Sequence, residues 1–228
     1  MKSVYQSTFR RLEDAAKLHR RVLVGFSGGK DSLAVLDLCS KFFPEVVGFF
    51  KYTVPGLEVC EKQMRWAKER YGVEVAQFPT INTMLALQNG DWCDATDLGL
   101  EDDYPLKASF KHAQNLTSTQ LIATGMKDAD GLKRRQFFAN IRDGGDTFWH
   151  DVIHPLKDWR KKDVLDYLKV NKIPIPDSEP GAVTSGVGLD HGSLCWLHDR
   201  HPEDFKRLLK WFPYAEAAIK RREWFGVR

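Results

Sequence analysis

A polar segment of six residues, Ser27-Gly28-Gly29-Lys30-Asp31-Ser32, constrains the fold more than any other part of the chain. The segment before it, Val22–Phe26, is short, apolar and rich in β-branched residues, as expected for a strand buried on both faces. The segment after it, Leu33–Phe43, has the apolar spacing of a helix and ends near Pro44. A buried strand, a glycine turn and a helix in this order predict a βα unit of a parallel sheet.

The same alternation of strands and helices continues along the chain. Further strands are predicted at 46–52, 73–78, 121–124 and 152–153, and further helices at 5–20, 58–71, 158–170, 202–212 and 214–224. The pattern predicts an α/β fold with a doubly wound, mainly parallel five-stranded sheet, helices on both faces and a small helical C-terminal region. We divide the chain into an α/β domain at 1–157 and a helical and loop region at 158–228.

Composition excludes several classes of protein. The chain is 43% hydrophobic and 29% charged with a net charge of +3, which is typical of soluble globular proteins and argues against disorder or a coiled coil. No apolar run approaches the roughly 18 residues of a membrane span. Residues 1–21 show no signal peptide, so we expect a cytoplasmic location and no membrane partner.

The four cysteines are scattered and form no CxxC pair; they are Cys39, Cys60, Cys93 and Cys195. In a cytoplasmic protein we expect them to be reduced. Because cysteine ligands of iron–sulfur clusters are usually closely spaced, we expect no iron–sulfur cluster.

The polar segment has the chemistry of a phosphate pocket. Gly28 and Gly29 allow positive φ and a close approach of backbone N–H groups to an anion. The N-terminus of the following helix adds unpaired N–H donors, and Lys30 adds a full positive charge. In doubly wound sheets, ligands usually bind at this carboxyl end of a strand.

The six residues resemble the SGGxDS signature of the PP-loop ATP pyrophosphatases, also called adenine nucleotide α-hydrolases. The resemblance implies that Ser27, Gly28, Gly29, Lys30, Asp31 and Ser32 bind the phosphates of ATP or a related adenine nucleotide. It also implies cleavage between the α and β phosphates, with Lys30 offsetting phosphate charge and Asp31 helping to hold Mg²⁺. By the same analogy the adenine lies near the end of the second strand, where Phe50 or Tyr52 could stack on it.

A second polar segment, residues 125–135, follows the fourth strand and contains four cations. It resembles the G-x-R-x-x-(E/Q)-S-x-x-R element of the phosphoadenosine phosphosulfate (PAPS) reductase branch of the PP-loop proteins. Gly125 and Arg134 match, whereas Lys127 replaces an arginine and keeps its charge without the bidentate fork. Asp130 replaces the Glu or Gln of the element, and Gly131 replaces its serine, so the match is partial. The resemblance implies that Gly125, Lys127, Arg134 and Arg135 bind phosphate, and that Lys127 and Arg134 act in catalysis with Lys30 and Asp31.

A third segment, His154–Val164, resembles the hPl-x-dW-x-x-x-dV element of the same branch. Together the three resemblances span residues 22–174.

Cys195 is the remaining catalytic candidate. Its segment, Ser193–His198, shares a cysteine and a following histidine with the Glu-Cys-Gly-Leu-His tail of PAPS reductases, but lacks the glutamate and the glycine. Since a buried thiol is inert, a structural role for Cys195 stays open. A zinc site is a further alternative, with Cys and His ligands from His191, Cys195, His198 and His201.

Three hypotheses of function follow. The first is an enzyme that binds ATP, uses Mg²⁺ and releases pyrophosphate in adenylation of an acceptor or in sulfur transfer. The second is a PAPS reductase that uses Cys195 and thioredoxin. The third is a non-catalytic nucleotide-binding subunit of a nucleic-acid modification complex. The acceptor is unidentified, a nucleic acid remains a candidate, and association into a homo-oligomer is left open.

Overall fold

The computed structural model describes residues 2–100, 106–142, 151–174 and 187–226. The strands are β1 (Arg21–Gly25), β2 (Glu45–Tyr52), β3 (Val75–Pro79), β4 (Ile122–Ala123) and β5 (Val152–Ile153). The helices are α1 (Lys2–Leu18), α2 (Lys30–Phe42), α3 (Glu58–Tyr71), α4 (Ile81–Asn89), α5 (Leu106–Thr117), α6 (Leu132–Arg142), α7 (Lys161–Val170), α8 (His191–Arg200), α9 (Pro202–Leu209) and α10 (Glu216–Phe225).

The five strands form one parallel sheet in the order β3-β2-β1-β4-β5. Arg21 of β1 is opposite Glu45 of β2, and Leu23 of β1 is opposite Ile122 of β4. The chain therefore begins in the middle of the sheet, builds outward to β3, and returns to the other side of β1 with β4. This reversal of strand order leaves a crevice at the carboxyl ends of β1 and β4. The predicted α/β doubly wound fold is confirmed.

The sheet is buried as a parallel sheet requires. Val22, Leu23 and Val24 of β1 are fully buried, and so are both residues of β4. Strands of this kind read as continuous apolar segments because helices cover both faces.

The boundaries differ from the prediction at the glycine turn. α2 begins at Lys30 rather than Leu33, so Lys30, Asp31 and Ser32 form its first turn. The apolar spacing could not reveal this turn because its side chains are polar. The helices α4, α5, α6 and α8 were not predicted either, because their apolar residues are few or irregularly spaced.

The chain forms two compact units. Unit 1 comprises Met1–Phe49, Ala67–Ala76 and Lys107–Pro176, and unit 2 comprises Phe50–Trp66, Gln77–Leu106 and Asp177–Arg228. This division follows different lines from the predicted one near residue 157. In unit 1, the residues flanking α7 contact α1 and α2: Trp159 Nε1 donates to Thr8 Oγ1 (2.7 Å), and Lys41 Nζ donates to Asn171 Oδ1 (2.8 Å).

Two segments are described only in part. Residues 91–100 form neither helix nor strand, and residues 101–105, which follow them, lie outside the described ranges. Residues 175–186 lie outside them as well. Across the described ranges, no helix is both long enough and apolar enough to cross a membrane.

Candidate functional site

The PP-loop (Ser27–Ser32) joins β1 to α2 with an open helix N-terminus. Gly28 has φ +74°, a conformation that glycine adopts without strain. Gly29 is the N-cap residue of α2, and no side chain caps the helix. Ser32 Oγ instead donates to the Gly29 carbonyl (2.9 Å). The first turn of α2 therefore keeps N–H groups that can donate hydrogen bonds to an anion, at the positive end of the helix dipole.

Four charged side chains from β4's loop and the start of α2 form a cluster, which we call the carboxyl-edge cluster: Lys30, Asp31, Lys127 and Asp130. Lys30 Nζ and Lys127 Nζ each lie 2.8 Å from the same Asp31 oxygen, Oδ2. Lys127 Nζ also pairs with Asp130 Oδ1 at 3.0 Å, and the Lys127 N–H donates to Asp130 Oδ2 at 3.1 Å. Two lysines thus share one carboxylate oxygen, an arrangement that a polyphosphate with several anionic oxygens can replace.

Lys127 is the central residue of this cluster. Only 2% of it is exposed, which is rare for a lysine and requires close pairing of its charge. Asp130 holds it through both the side-chain amine and the backbone N–H. The substitution of arginine by lysine therefore leaves a firmly oriented cation at this position.

Gly125 brings β4's loop against α2. A Cβ added at Gly125 would lie 3.0 Å from Asp31 Cβ and 3.3 Å from the Asp31 carbonyl carbon. A larger residue would push the loop away from the first turn of α2. This close approach explains the glycine and keeps Lys127 within reach of Asp31.

His154, at the end of β5, is a site residue that the sequence analysis named only as part of a motif. Its Nδ1 is hydrogen-bonded to Thr124 Oγ1 at the end of β4 (2.8 Å). Burial, with the cations Lys157, Arg134 and Arg11 nearby, lowers the pKa of His154 to about 3. His154 is therefore neutral at physiological pH. The histidine in the third motif was the available signal, but only the sheet order brings it beside Thr124.

Unpaired polar atoms concentrate at this edge of the sheet. Among the described residues, four buried side-chain N or O atoms have no hydrogen-bond partner: Arg21 Nε, Asp31 Oδ1, Asp128 Oδ1 and His154 Nε2. Three of the four follow β1, β4 or β5 at their carboxyl ends. Because an unpaired buried polar atom costs about 1–3 kcal/mol, such a concentration is typical of a ligand site.

Asp31 was also predicted to help hold Mg²⁺. Its Oδ1 has no partner, and proteins usually supply only one or two carboxylates to Mg²⁺ while substrate phosphates and water supply the rest. The residue fits this role, in which the ion would offset phosphate charge, and the role stays a prediction.

The two arginines follow the charged cluster in the chain. Arg134 and Arg135 are exposed in the first turn of α6, and Arg134 Nη1 contacts Met126 Sδ at 3.1 Å. Their contacts with phosphate stay a prediction. They nevertheless belong to unit 1, with the PP-loop and Lys127.

The two predicted adenine-stacking residues belong to unit 2. Phe50 is buried, so it packs in the core. Tyr52 is half-buried, and its carbonyl accepts the Thr80 N–H (2.8 Å). Tyr52 is therefore the one of the two with an accessible ring.

Cys195 lies in α8, also in unit 2. It is 7% exposed, and burial is the main cause that raises the pKa of its thiol. His191 Nε2 is its neighbour one turn earlier, 3.9 Å from Sγ. Low exposure and a raised pKa both disfavour a nucleophilic thiolate.

The zinc alternative requires several ligands to converge. His198 instead pairs with Asp199 (2.9 Å), and the His201 ring packs on Trp196 with centroids 4.8 Å apart. Within the ranges that the structure describes, no group of three or more His, Cys, Asp or Glu side chains could hold a metal ion. The four predicted ligands therefore do not form a zinc site.

Solved structures show how widely this fold is shared. The chain is similar to NH3-dependent NAD synthetase from Campylobacter jejuni, with a TM-score of 0.50, 11% identity, and coverage of 100% of this chain and 96% of that one. It also matches the U34-tRNA thiolase NcsA from Methanococcus maripaludis (TM-score 0.49, 14% identity, 96% and 80% coverage). A third match is PAPS reductase from Candida auris (TM-score 0.45, 16% identity, 73% and 81% coverage).

The NcsA structure corrects the prediction on cofactors. That structure contains a [4Fe-4S] cluster. The prediction that excluded an iron–sulfur cluster because the cysteines are scattered was therefore wrong. The physical reason is that spacing along the chain does not limit which cysteines a fold brings together. In this chain all four cysteines are free and buried.

The comparison of sequences identifies the family. No curated protein matches the chain. A family model for the phosphoadenosine phosphosulfate reductase domain matches residues 21–177, from the first residue of β1 to beyond α7. The match includes the PP-loop, the Gly125–Arg134 element and His154, so the predicted resemblance is confirmed. The chain belongs to the phosphoadenosine phosphosulfate reductase domain family of the PP-loop superfamily.

Proposed function

We propose that this protein is an enzyme that binds ATP, or a related adenine nucleotide, at the carboxyl ends of β1 and β4 and cleaves it at the α-phosphate. The observation that carries the proposal is the carboxyl-edge cluster beside the uncapped N-terminus of α2. Two lysines there share one carboxylate oxygen, and the adjoining N–H groups face the same crevice of the doubly wound sheet. Family membership supports an adenine nucleotide as the ligand, because the family is named for a reductase of one.

The reaction needs little covalent chemistry from the protein. An acceptor oxygen or sulfur attacks the α-phosphorus, the bond from that phosphorus to the bridging oxygen breaks, and pyrophosphate leaves with the bond electrons. The chain's contribution is positioning and charge neutralisation. Lys30 and Lys127 would give up their ion pairs with Asp31 and bind phosphate oxygens instead, and the N–H groups of α2 would bind a further oxygen. Arg134 would reach the phosphates from α6.

The first experiment measures nucleotide affinity by calorimetry. Lys30→Ala should weaken ATP binding by about 10- to 100-fold, the value of one charge-assisted hydrogen bond. Lys17→Ala, which removes an exposed lysine of α1, serves as the charge-matched control and should bind ATP normally. Unchanged affinity in Lys30→Ala would contradict the proposed site.

A product assay then tests the reaction. The proposal expects AMP and pyrophosphate from ATP, whereas ADP and phosphate would contradict it. A parallel titration with PAPS separates the hypotheses: tighter binding of PAPS than ATP, with thioredoxin-dependent release of sulfite, would favour the reductase. Tight binding of ATP without turnover would favour the non-catalytic subunit. The acceptor, the cytoplasmic location and the state of association stay predictions from the sequence.

A further inference from the structure

The last turn of α10 carries an unusual pair of aromatic residues. Trp224 is 75% exposed and Phe225, the next residue, is 72% exposed. Single exposed apolar residues are normal on protein surfaces and need no explanation. Two adjacent large rings that are mostly in water are different, because burying either would be worth about 2 kcal/mol or more.

The helix itself shows that the indole has no packing role. Ala218 and Ile219 of α10 are buried, together with Ala215 just before it. At 100° per residue these positions define one side of the helix, and Trp224 lies close to the opposite side. The ring is therefore directed away from the side on which α10 packs.

Two cations stand on the same exposed face, one turn before the indole. Lys220 and Arg221 precede Trp224 by four and three residues, the spacings at which side chains on a helix are neighbours. Lys220 has only a loose ion pair with Glu216, at 3.9 Å, and Arg221 has no ion pair with any residue that the structure describes. Arg222 differs, since both of its terminal nitrogens pair with Asp199 at 2.6 and 2.9 Å. The acidic side chains of α10, those of Glu216 and Glu223, lie to one side of this face.

We propose that this face of α10, defined by Lys220, Arg221 and Trp224, binds single-stranded nucleic acid. A base would stack on the Trp224 indole, and Lys220 and Arg221 would contact the phosphates on either side of it. Proteins bind single strands by this combination of an exposed aromatic ring with adjacent cations. A lipid surface fits less well, because α10 buries Ala218 and Ile219 on the opposite side and its exposed side is interrupted by Lys220 and Arg221, so it lacks a continuous apolar face. The inference is independent of the PP-loop proposal.

The test uses the full chain and fluorescence anisotropy with a labelled 12-nucleotide RNA and the DNA of the same sequence. Trp224→Ala should weaken binding about tenfold, the effect of losing one stacked base. Trp224→Phe should retain most of the affinity, because a ring remains. The double variant Lys220→Gln/Arg221→Gln should also weaken binding. Its plot of log K against log salt should be less steep, with a slope smaller in magnitude by about 1.4, because two phosphate contacts are lost.

Two controls separate this face from general properties of the protein. Lys161→Gln/Lys162→Gln removes the same charge from exposed positions of α7, and Leu18→Ala removes an exposed apolar side chain of α1. Both should bind as the wild type does. Circular dichroism should show every variant folded, since all the substituted side chains are exposed. Equal loss of binding in the α7 variant would show that only overall charge matters and would overturn the proposal.

Other occupants give different results. Wild-type affinity in Trp224→Ala for both oligonucleotides overturns the proposal. So does binding to phosphatidylserine vesicles that depends on Trp224 when oligonucleotide binding does not, which would assign the face to a membrane surface. Sedimentation showing a wild-type dimer and a Trp224→Ala monomer, with oligonucleotide binding unchanged, would assign it to a second copy of the chain.

Discussion

The carboxyl edge of the sheet in unit 1 and helix α8 in unit 2 each contain residues that the sequence put forward as catalytic, and their polar groups behave in opposite ways. In α8 the polar groups have protein partners: Asp190 caps the helix through the Ser193 N–H (3.0 Å), and Asp199 pairs with His198 in the same helix and with Arg222 of α10. At the carboxyl edge, groups from α2 and the β4 loop compete for one carboxylate oxygen, and buried atoms remain unpaired.

This difference teaches what distinguishes a site from a motif. A segment within one helix can satisfy its own hydrogen bonds, which leaves nothing for a ligand. Groups that separate elements bring together at the ends of strands have fewer partners than their charge and hydrogen-bonding capacity require. We therefore place the chemistry at the carboxyl edge and expect Cys195 to be structural. Four predictions test this comparison.

The largest effect is expected from Lys127→Met. The substitution leaves Asp31 with one lysine and Asp130 with none, and breaking a buried ion pair costs about 3 kcal/mol in the free energy of unfolding. Urea unfolding measures this cost, and calorimetry should show ATP binding weakened by more than about tenfold. Lys133→Met, at an exposed position of α6, is the control and should change stability by less than about 0.5 kcal/mol. Equal stability of the two variants would mean that the cluster is not formed.

The next effect is a pH dependence that arises from His154. Its pKa is about 3 in the folded chain and about 6.5 in the unfolded chain, so between these values only the unfolded chain binds the proton. The free energy of unfolding should therefore fall as pH falls, by about 2 kcal/mol from pH 7 to pH 5 on account of this group.

His154→Gln removes that contribution. The difference in stability between pH 7 and pH 5 should be smaller in the variant by the same amount, while the other titrating groups cancel. Urea unfolding at the two pH values gives both numbers. An identical pH dependence in the variant and the wild type would show that His154 is solvated and can be protonated in the folded chain.

A smaller effect is expected from Gly125→Ala. The added Cβ meets Asp31 at 3.0 Å, so the β4 loop must move, at a cost of about 1 kcal/mol. Gly29→Ala is the matched variant for stability, because its Cβ meets only Ser27 Oγ at an ordinary 3.5 Å and its φ is −77°. Thermal unfolding should separate the two. A loss of stability in Gly29→Ala as large as in Gly125→Ala would argue against a specific contact between the loop and α2.

The smallest effect is expected from Cys195→Ser. Since burial raises the pKa of the thiol, little thiolate exists at neutral pH, and alkylation of Cys195 should be slower than that of a cysteine in a short peptide. The rate should increase as pH rises past 9. ATP binding should be unchanged by the substitution. Sulfite released from PAPS by the wild type and not by Cys195→Ser would reverse this comparison and assign the chemistry to α8.

The strands and the PP-loop were predictable because their signal is local. β1 is an apolar segment next to two glycines, and nothing in the neighbouring sequence competes with that pattern. The helices α4, α5, α6 and α8 were missed because their apolar residues are fewer or irregularly spaced, and tertiary packing decides such helices. Lys127 was predicted as a phosphate ligand, but its burial was not, because burial depends on how closely Gly125 brings the loop to α2.

The sequence by itself determined the order of strands and most helices, the glycine turn between β1 and α2 and the family, since each depends on neighbouring residues. The tertiary structure alone decided which polar groups meet. It placed Asp31 between Lys30 and Lys127, put His154 beside Thr124, and left Trp224 in water with two cations one turn away. The physical reason is that charge pairing and burial depend on distance in space, and β1 and β4, almost 100 residues apart in the chain, are neighbours in the sheet.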